Sequence, residues 1–215
     1  MRTKTLLLTA ALSAAGIATS MAQVFSVNAV GYVNTTLVPG FNLISNPLVA
    51  TSNTIADLFK GVPANTSVYK YSQATGFQVA TMDDIDLVFL PADVAALTVM
   101  PGEGVFVKNP GPGNITVTFV GEVPQGALKN PIPAGLSIRS SQVPQAGTAT
   151  ELGLPAAPND TVYQFDTAAQ TYYVSTFDDI DLTFIPPLKP LKVGEAVFLN
   201  KIAPASWDRT FSVNQ

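Results

Sequence analysis

The chain of 215 residues contains no cysteine and no histidine. Without cysteine there is no disulfide framework, no thiol nucleophile and no Cys-ligated zinc. Without histidine there is no Ser-His-Asp triad, no imidazole general base and no imidazole metal ligand. Any chemistry must come from carboxylates, Tyr, Lys, Ser or Thr, and an oxygen-ligated hard cation such as Ca²⁺ stays open. Charge is also scarce. Charged residues make up 12%, against roughly 25% in ordinary soluble domains. The hydrophobic share is 47% and the mean hydropathy +0.29. Disorder needs the opposite balance, so the bulk of the chain is expected to fold.

The N-terminus reads as a secretory signal over residues 1–22. Arg2 and Lys4 precede the uncharged apolar run Leu6–Ile17, and Ser20-Met21-Ala22 places small residues at the −3 and −1 positions before Gln23. The run is short and diluted for a membrane span of roughly 20 residues. Cleavage would leave 9 Lys+Arg against 15 Asp+Glu. That balance argues against nucleic acid and anionic membrane surfaces, both of which need a basic face. No membrane span is expected after cleavage. An exported chain without cysteine fits a bacterial secreted, cell-surface or periplasmic setting.

An internal duplication organises the rest. Thr81-Met82-Asp83-Asp84-Ile85-Asp86-Leu87-Val88-Phe89-Leu90-Pro91 returns as Thr176-Phe177-Asp178-Asp179-Ile180-Asp181-Leu182-Thr183-Phe184-Ile185-Pro186. Around it, Val68-Tyr69-Lys70-Tyr71 matches Val162-Tyr163-Gln164-Phe165, and Gly102-Glu103-Gly104-Val105-Phe106 matches Gly194-Glu195-Ala196-Val197-Phe198. Two tandem units follow, 23–122 and 123–215. The motif Phe25-Ser26-Val27-Asn28 recurs as Phe211-Ser212-Val213-Asn214, with Thr118-Phe119-Val120 between the copies. This suggests a boundary strand before, between and after the units, the middle one shared.

Short β-branched and aromatic runs between Pro/Gly turns predict strands at 25–33, 41–45, 68–72, 77–80, 105–109 and 115–120. Residues 68–80 and 105–120 are each read as a hairpin. A short helix is predicted from Thr54, with Asn53 as its cap and Gly61 after it, and again near Thr148. The expected class is therefore all-β: two related β-sandwich or partly open barrel units, each with one short helix.

Gly31-Tyr32-Val33-Asn34, Gly40-Phe41-Asn42-Leu43-Ile44-Ser45-Asn46-Pro47, Val68-Tyr69-Lys70-Tyr71 and Pro101–Asn109 resemble uncharacterised secreted bacterial β-repeat proteins of the planctomycete and verrucomicrobial type. The likeness covers most of the chain after the signal and is strongest in the first copy. The second departs from it at Gly135-Leu136-Ser137-Ile138-Arg139. The resemblance implies export and β structure; it brings no activity and no catalytic residues.

The repeated acids Asp83, Asp84, Asp86, Asp178, Asp179 and Asp181 are the candidate site. In an extended segment Ile85, Leu87 and Phe89 would share a core face, with Asp84 and Asp86 opposite. The alternatives are a Ca²⁺ site, which lacks the glycine and distal glutamate of an EF-hand loop, and a carboxylate pair for hydrolysis. Glu103 and Glu195, beside glycines, are read as turn or bulge residues. Tyr69, Tyr71, Tyr163, Phe165, Tyr172, Tyr173 and Trp207 are read as core or cross-strand pairs, with a sugar-stacking platform as the alternative. The expected function is that of an exported, non-enzymatic structural or interaction protein of the envelope or matrix. Its partner would be an envelope or matrix protein or a glycan, with no cofactor other than Ca²⁺. Carbohydrate or Ca²⁺ binding and a carboxylate-dependent hydrolase stand as alternatives.

Overall fold

A computed structural model describes residues 29–213. The signal segment and Phe25–Asn28 lie outside them. Two five-stranded antiparallel sheets, one per copy, form the centre. In the first copy the strands are β1 (Val30–Leu37), β2 (Gly40–Ile44), β3 (Ser67–Ser72), β4 (Gly76–Met82), β5 (Phe89–Leu90), β6 (Val105–Asn109) and β7 (Ile115–Glu122). In the second they are β8 (Gly126–Leu128), β9 (Pro131–Ile132), β10 (Gly135–Arg139), β11 (Thr161–Asp166), β12 (Thr171–Phe177), β13 (Phe184–Ile185), β14 (Val197–Lys201), β15 (Ala205–Ser206) and β16 (Arg209–Phe211). The sheet orders β2-β6-β3-β4-β5 and β10-β14-β11-β12-β13 are the same path traced twice. The class is all-β, and no sheet among the described residues closes into a barrel.

Each central strand is buried on both faces. Val105 and Val107 of β6 point into a core with Ile44, Val68, Leu37 and Phe119, while Phe106 between them points into a different cluster. Val197, Phe198 and Leu199 of β14 repeat the pattern. Two buried faces need an unbroken apolar run rather than alternation, which accounts for the high apolar content and scarce charge. On its outer face the first sheet is covered by the β1–β7 ribbon and the second by Ile132, Leu152 and the fully buried Trp207, whose Nε1 donates to the Leu152 carbonyl at 2.6 Å.

Several expectations change. The middle boundary strand is not shared. β7 pairs with β1 and closes the first copy, and β16 pairs with β8 and closes the second. Nor do β6 and β7 form a hairpin: both edges of β6 are taken by β2 and β3. Asn109 turns the chain away instead, donating from Nδ2 to the Leu37 and Gly113 carbonyls at 3.0 and 2.8 Å. The one-helix-per-unit pattern also fails. Both helices among the described residues, α1 (Ile55–Leu58) and α2 (Ala92–Ala95), lie in the first copy. Thr54, not Asn53, caps α1, its hydroxyl accepting from Asp57 N–H; Asn53 instead holds the preceding turn through Ala50 N–H. In the second copy Thr148 and Glu151 form the reciprocal cap, but the chain makes only a turn before Gly153. The β3–β4 hairpin forms as expected and is repeated by β11–β12.

Candidate functional site

The repeated acidic segment is a turn, not a strand. Asp83 accepts from the N–H groups of Ile85 and Asp86 at 2.9 Å each, and its own N–H donates to the Val88 carbonyl at 2.9 Å. Asp178 accepts from Ile180 and Asp181 at 2.9 and 2.8 Å and donates to Thr183 at 2.8 Å. A carboxylate that caps the N–H groups just after it folds the chain on itself. Those donors hold the Asp83 and Asp178 carboxyls below the usual aspartate range. Leu87 and Leu182 complete each turn in the left-handed region, at φ 52° and 51°.

The alternation expected of a strand is therefore lost. Phe89 is buried, but Ile85 is 84% exposed and Leu87 62%; Ile180 and Leu182 repeat both values. The structure thus offers two hydrogen-bonded tips, each holding an isoleucine and a leucine exposed, rimmed by Asp84 and Asp86 in one and Asp179 and Asp181 in the other. Those four acids are exposed. Among the described residues no group of three or more acids is arranged to hold a metal ion.

The aromatic residues are brought together between the copies. Phe106 lies 5.1 Å from Phe165 and 6.1 Å from Phe198, and Tyr71 lies 5.4 Å from Phe198. With Leu43, Ile138 and Ala196 these rings cement the two sheets face to face, and Tyr69, Tyr163 and Phe165 pack against them. The Phe106–Phe165 and Tyr71–Phe198 pairs meet edge-on, the geometry ring quadrupoles favour, and Phe106–Phe198 is tilted. Tyr172 joins at 5.3 Å from Phe165 but stays partly exposed. Tyr173 is separate, with Lys189 Nζ 4.7 Å over its ring.

Polar contacts cross the same seam in reciprocal pairs. Ser45 N–H donates to Gly194 carbonyl at 2.8 Å, and Ser140 N–H to Gly102 carbonyl at 3.0 Å. Ser45 and Ser140, 95 residues apart, meet hydroxyl to hydroxyl at 2.8 Å. The hairpin turns reach across too. Gln73 donates to the Ala134 and Leu136 carbonyls at the edge of the second sheet, and Gln170 brackets the backbone N–H and carbonyl of Phe41 at the edge of the first. Each copy thereby covers the other's exposed edge strand. The sequence repeat aligns these residues but gives no sign that they touch.

Two clefts flank the seam at equivalent places. One, of about 440 Å³, contains Thr35, Ile44, Gln164 and Glu195. The other, of about 520 Å³, contains Asn130, Arg139 and Glu103. Both glutamates close a turn as expected, Glu103 Oε2 accepting from Met100 N–H at 2.9 Å and Glu195 Oε2 from Lys192 N–H at 3.0 Å. Their surroundings differ. Glu103 pairs with Lys70 at 3.1 Å, whereas among the described residues no Lys or Arg forms an ion pair with Glu195. Desolvation pushes the Glu195 carboxyl up, with the Lys192 N–H and the charges of Lys192 and Lys189 opposing it.

Fold and site together define an all-β protein of two interlocked copies with two apolar turn tips. The chain matches no family model, no curated protein and no solved structure. Among the described residues no helix is long and apolar enough to cross a membrane.

Proposed function

We propose that the chain is an exported, non-enzymatic interaction protein of the bacterial envelope or extracellular matrix, and that it grips a protein partner with its two tips. The observation that carries this reading is the exposure of Ile85 and Ile180, 84% in each copy. A packing role would bury them. Instead both copies hold the same apolar side chains outward on a turn locked by Asp83 or Asp178 and by a non-glycine residue at positive φ. Backbone strain of this kind costs about 1–3 kcal/mol and clusters at binding sites. Burying one such isoleucine in a partner recess supplies about 1.5–3 kcal/mol. Two tips on one chain add avidity when both engage. The acidic rims favour a recess edged by Lys or Arg on a protein over an anionic lipid surface.

The test compares the full chain with the Ile85→Ser/Ile180→Ser double variant. Proteins of the native envelope fraction are captured on each, and affinity for the captured protein is measured by titration. The melting temperature should stay unchanged, because exposed substitutions shift stability by only about 0.5 kcal/mol. The captured protein should be lost from the double variant and weakened in each single variant. Equal capture by wild type and double variant would remove the tips from the interaction.

A further inference from the structure

The two seam clefts are built from matching positions of the two copies, and the glutamate of one of them has an internal cation beside it. Beside Glu103, the Lys70 ammonium sits 3.1 Å from the carboxylate and also bonds the Thr98 carbonyl. Arg139, across the seam, adds positive charge that acts on Glu103. In the cleft of Glu195 each of these groups has been exchanged. Gln164 stands at the Lys70 position and spends its amide on the backbone of Lys189, with Nε2 donating to the Lys189 carbonyl and Oε1 accepting from Lys189 N–H, both at 2.9 Å. Ile44 stands at the Arg139 position. Thr35 replaces Asn130, whose Nδ2 donates to the Gly102 carbonyl at 3.1 Å, and the buried Thr35 Oγ1 has no hydrogen-bond partner. The backbone around the carboxylate is retained, the capping bond to its turn included, while the internal cation is gone.

We propose that the Glu195 cleft binds a ligand bearing a primary alkylammonium group, whose nitrogen takes the place that Lys70 holds beside Glu103. The proposal is independent of the tips. A half-buried carboxylate without an ion pair is the group most stabilised by an incoming cation, since the desolvation cost is already met in the fold. Thr35 lines the same cleft beside the carboxylate. Of the two lysines in the cleft wall, Lys189 is held by Asp166 at 3.7 Å and by the Tyr173 ring. Lys192 is exposed at the surface, where solvent screens its charge. The volume of about 440 Å³ admits a lysine side chain or an amino sugar.

Backbone amide shifts of the full chain are followed in NMR titrations with three probes: Nα-acetyl-lysine methylamide, glucosamine and N-acetylglucosamine. The proposal expects the first or second probe, or both, to move the amides of Thr35, Gly194 and Glu195, and the neutral acetylated sugar to leave them in place. The tighter of the two amines identifies the source, peptide lysine or amino sugar. Glu195→Gln should weaken amine binding by about tenfold or more. That variant keeps an oxygen to accept from Lys192 N–H, so its fold is retained. Gln164→Lys, which restores an internal ammonium, should block the amines as well. Binding of N-acetylglucosamine as tight as that of glucosamine, no amine-induced shift at Glu195, or undiminished binding to Glu195→Gln would each overturn the proposal.

Discussion

The first copy carries its internal ion pair at the seam and the second carries its own deep in the sheet. Lys70–Glu103 is partly exposed. Lys201–Asp160 is almost wholly buried, the ammonium also donating to the Pro155 carbonyl at 3.0 Å and Asp160 accepting from Ile202 N–H at 3.0 Å. At the place of Asp160 and Lys201 the first copy has Thr66 and Asn109, both buried and neutral. At the place of Lys70 the second has Gln164. Strand order, turn tips and seam serines recur in both copies, whereas neither ion pair does. The lesson is that the duplicated backbone does not require a charge pair at either position. Each pair is particular to its copy, and the matched glutamate without an ion pair among the described residues is that of the Glu195 cleft.

The largest expected effect concerns the buried pair. Lys201→Met leaves Asp160 buried without its cation and should lower stability by about 3–5 kcal/mol in denaturant unfolding. Replacing both residues by their first-copy counterparts, Asp160→Thr with Lys201→Asn, should cost less than Lys201→Met alone. A double variant worse than the single would mean that the two copies are not interchangeable here. A middling effect is expected at the seam. A Cβ on Gly104 would stand 2.5 Å from both Ala196 Cβ and Ile138 Cγ2, so Gly104→Ala should cost about 1–3 kcal/mol by overpacking. Adding Ala196→Gly should recover part of that loss, and full additivity would argue that the two positions do not meet. The smallest effect is one of pH. Glu195 has its pKa raised in the folded chain, so the native state holds a proton more tightly than the unfolded state. Its contribution to stability is full below the ordinary glutamate value of 4.5 and is lost as pH rises through the folded value. Melting followed across this window should show wild type losing stability relative to Glu195→Gln with rising pH. A difference that stays flat would contradict the burial of that carboxyl.

The class and the repeat were legible because they are written in local signals. Turn residues bound short β-branched runs, and the pattern Val68–Tyr71 to Val162–Phe165 fixes two matching hairpins. The path of the strands was less so. Whether Ile115–Glu122 pairs with its neighbour β6 or with the distant β1 depends on which edges are already occupied, and no local signal carries that. The tips were misread for a specific reason. Asp-Ile-Asp-Leu alternates as a strand does, but one carboxylate placed to cap two N–H groups outweighs the alternation. The acids drew notice as metal ligands, while Asp83 and Asp178 use their charge on their own backbone. The clefts were not legible, because Thr35 and Ile44 become neighbours of Glu195 only across the seam, and Gln164 only through the pairing of β11 with β14. Comparing each with its counterpart in the other copy would have marked them as exchanged, though not as adjacent.

The contact between Gly104 and Ala196 acts as a sorting rule. These residues occupy the same place in the two copies and face each other where the copies cross. Two first copies would bring glycine against glycine and leave a gap; two second copies would bring methyl against methyl inside van der Waals distance. Only a first copy joined to a second fits. At this contact each half is shaped to the other half and not to a copy of itself, which steers the chain to close upon its own second half rather than upon the like half of a neighbour.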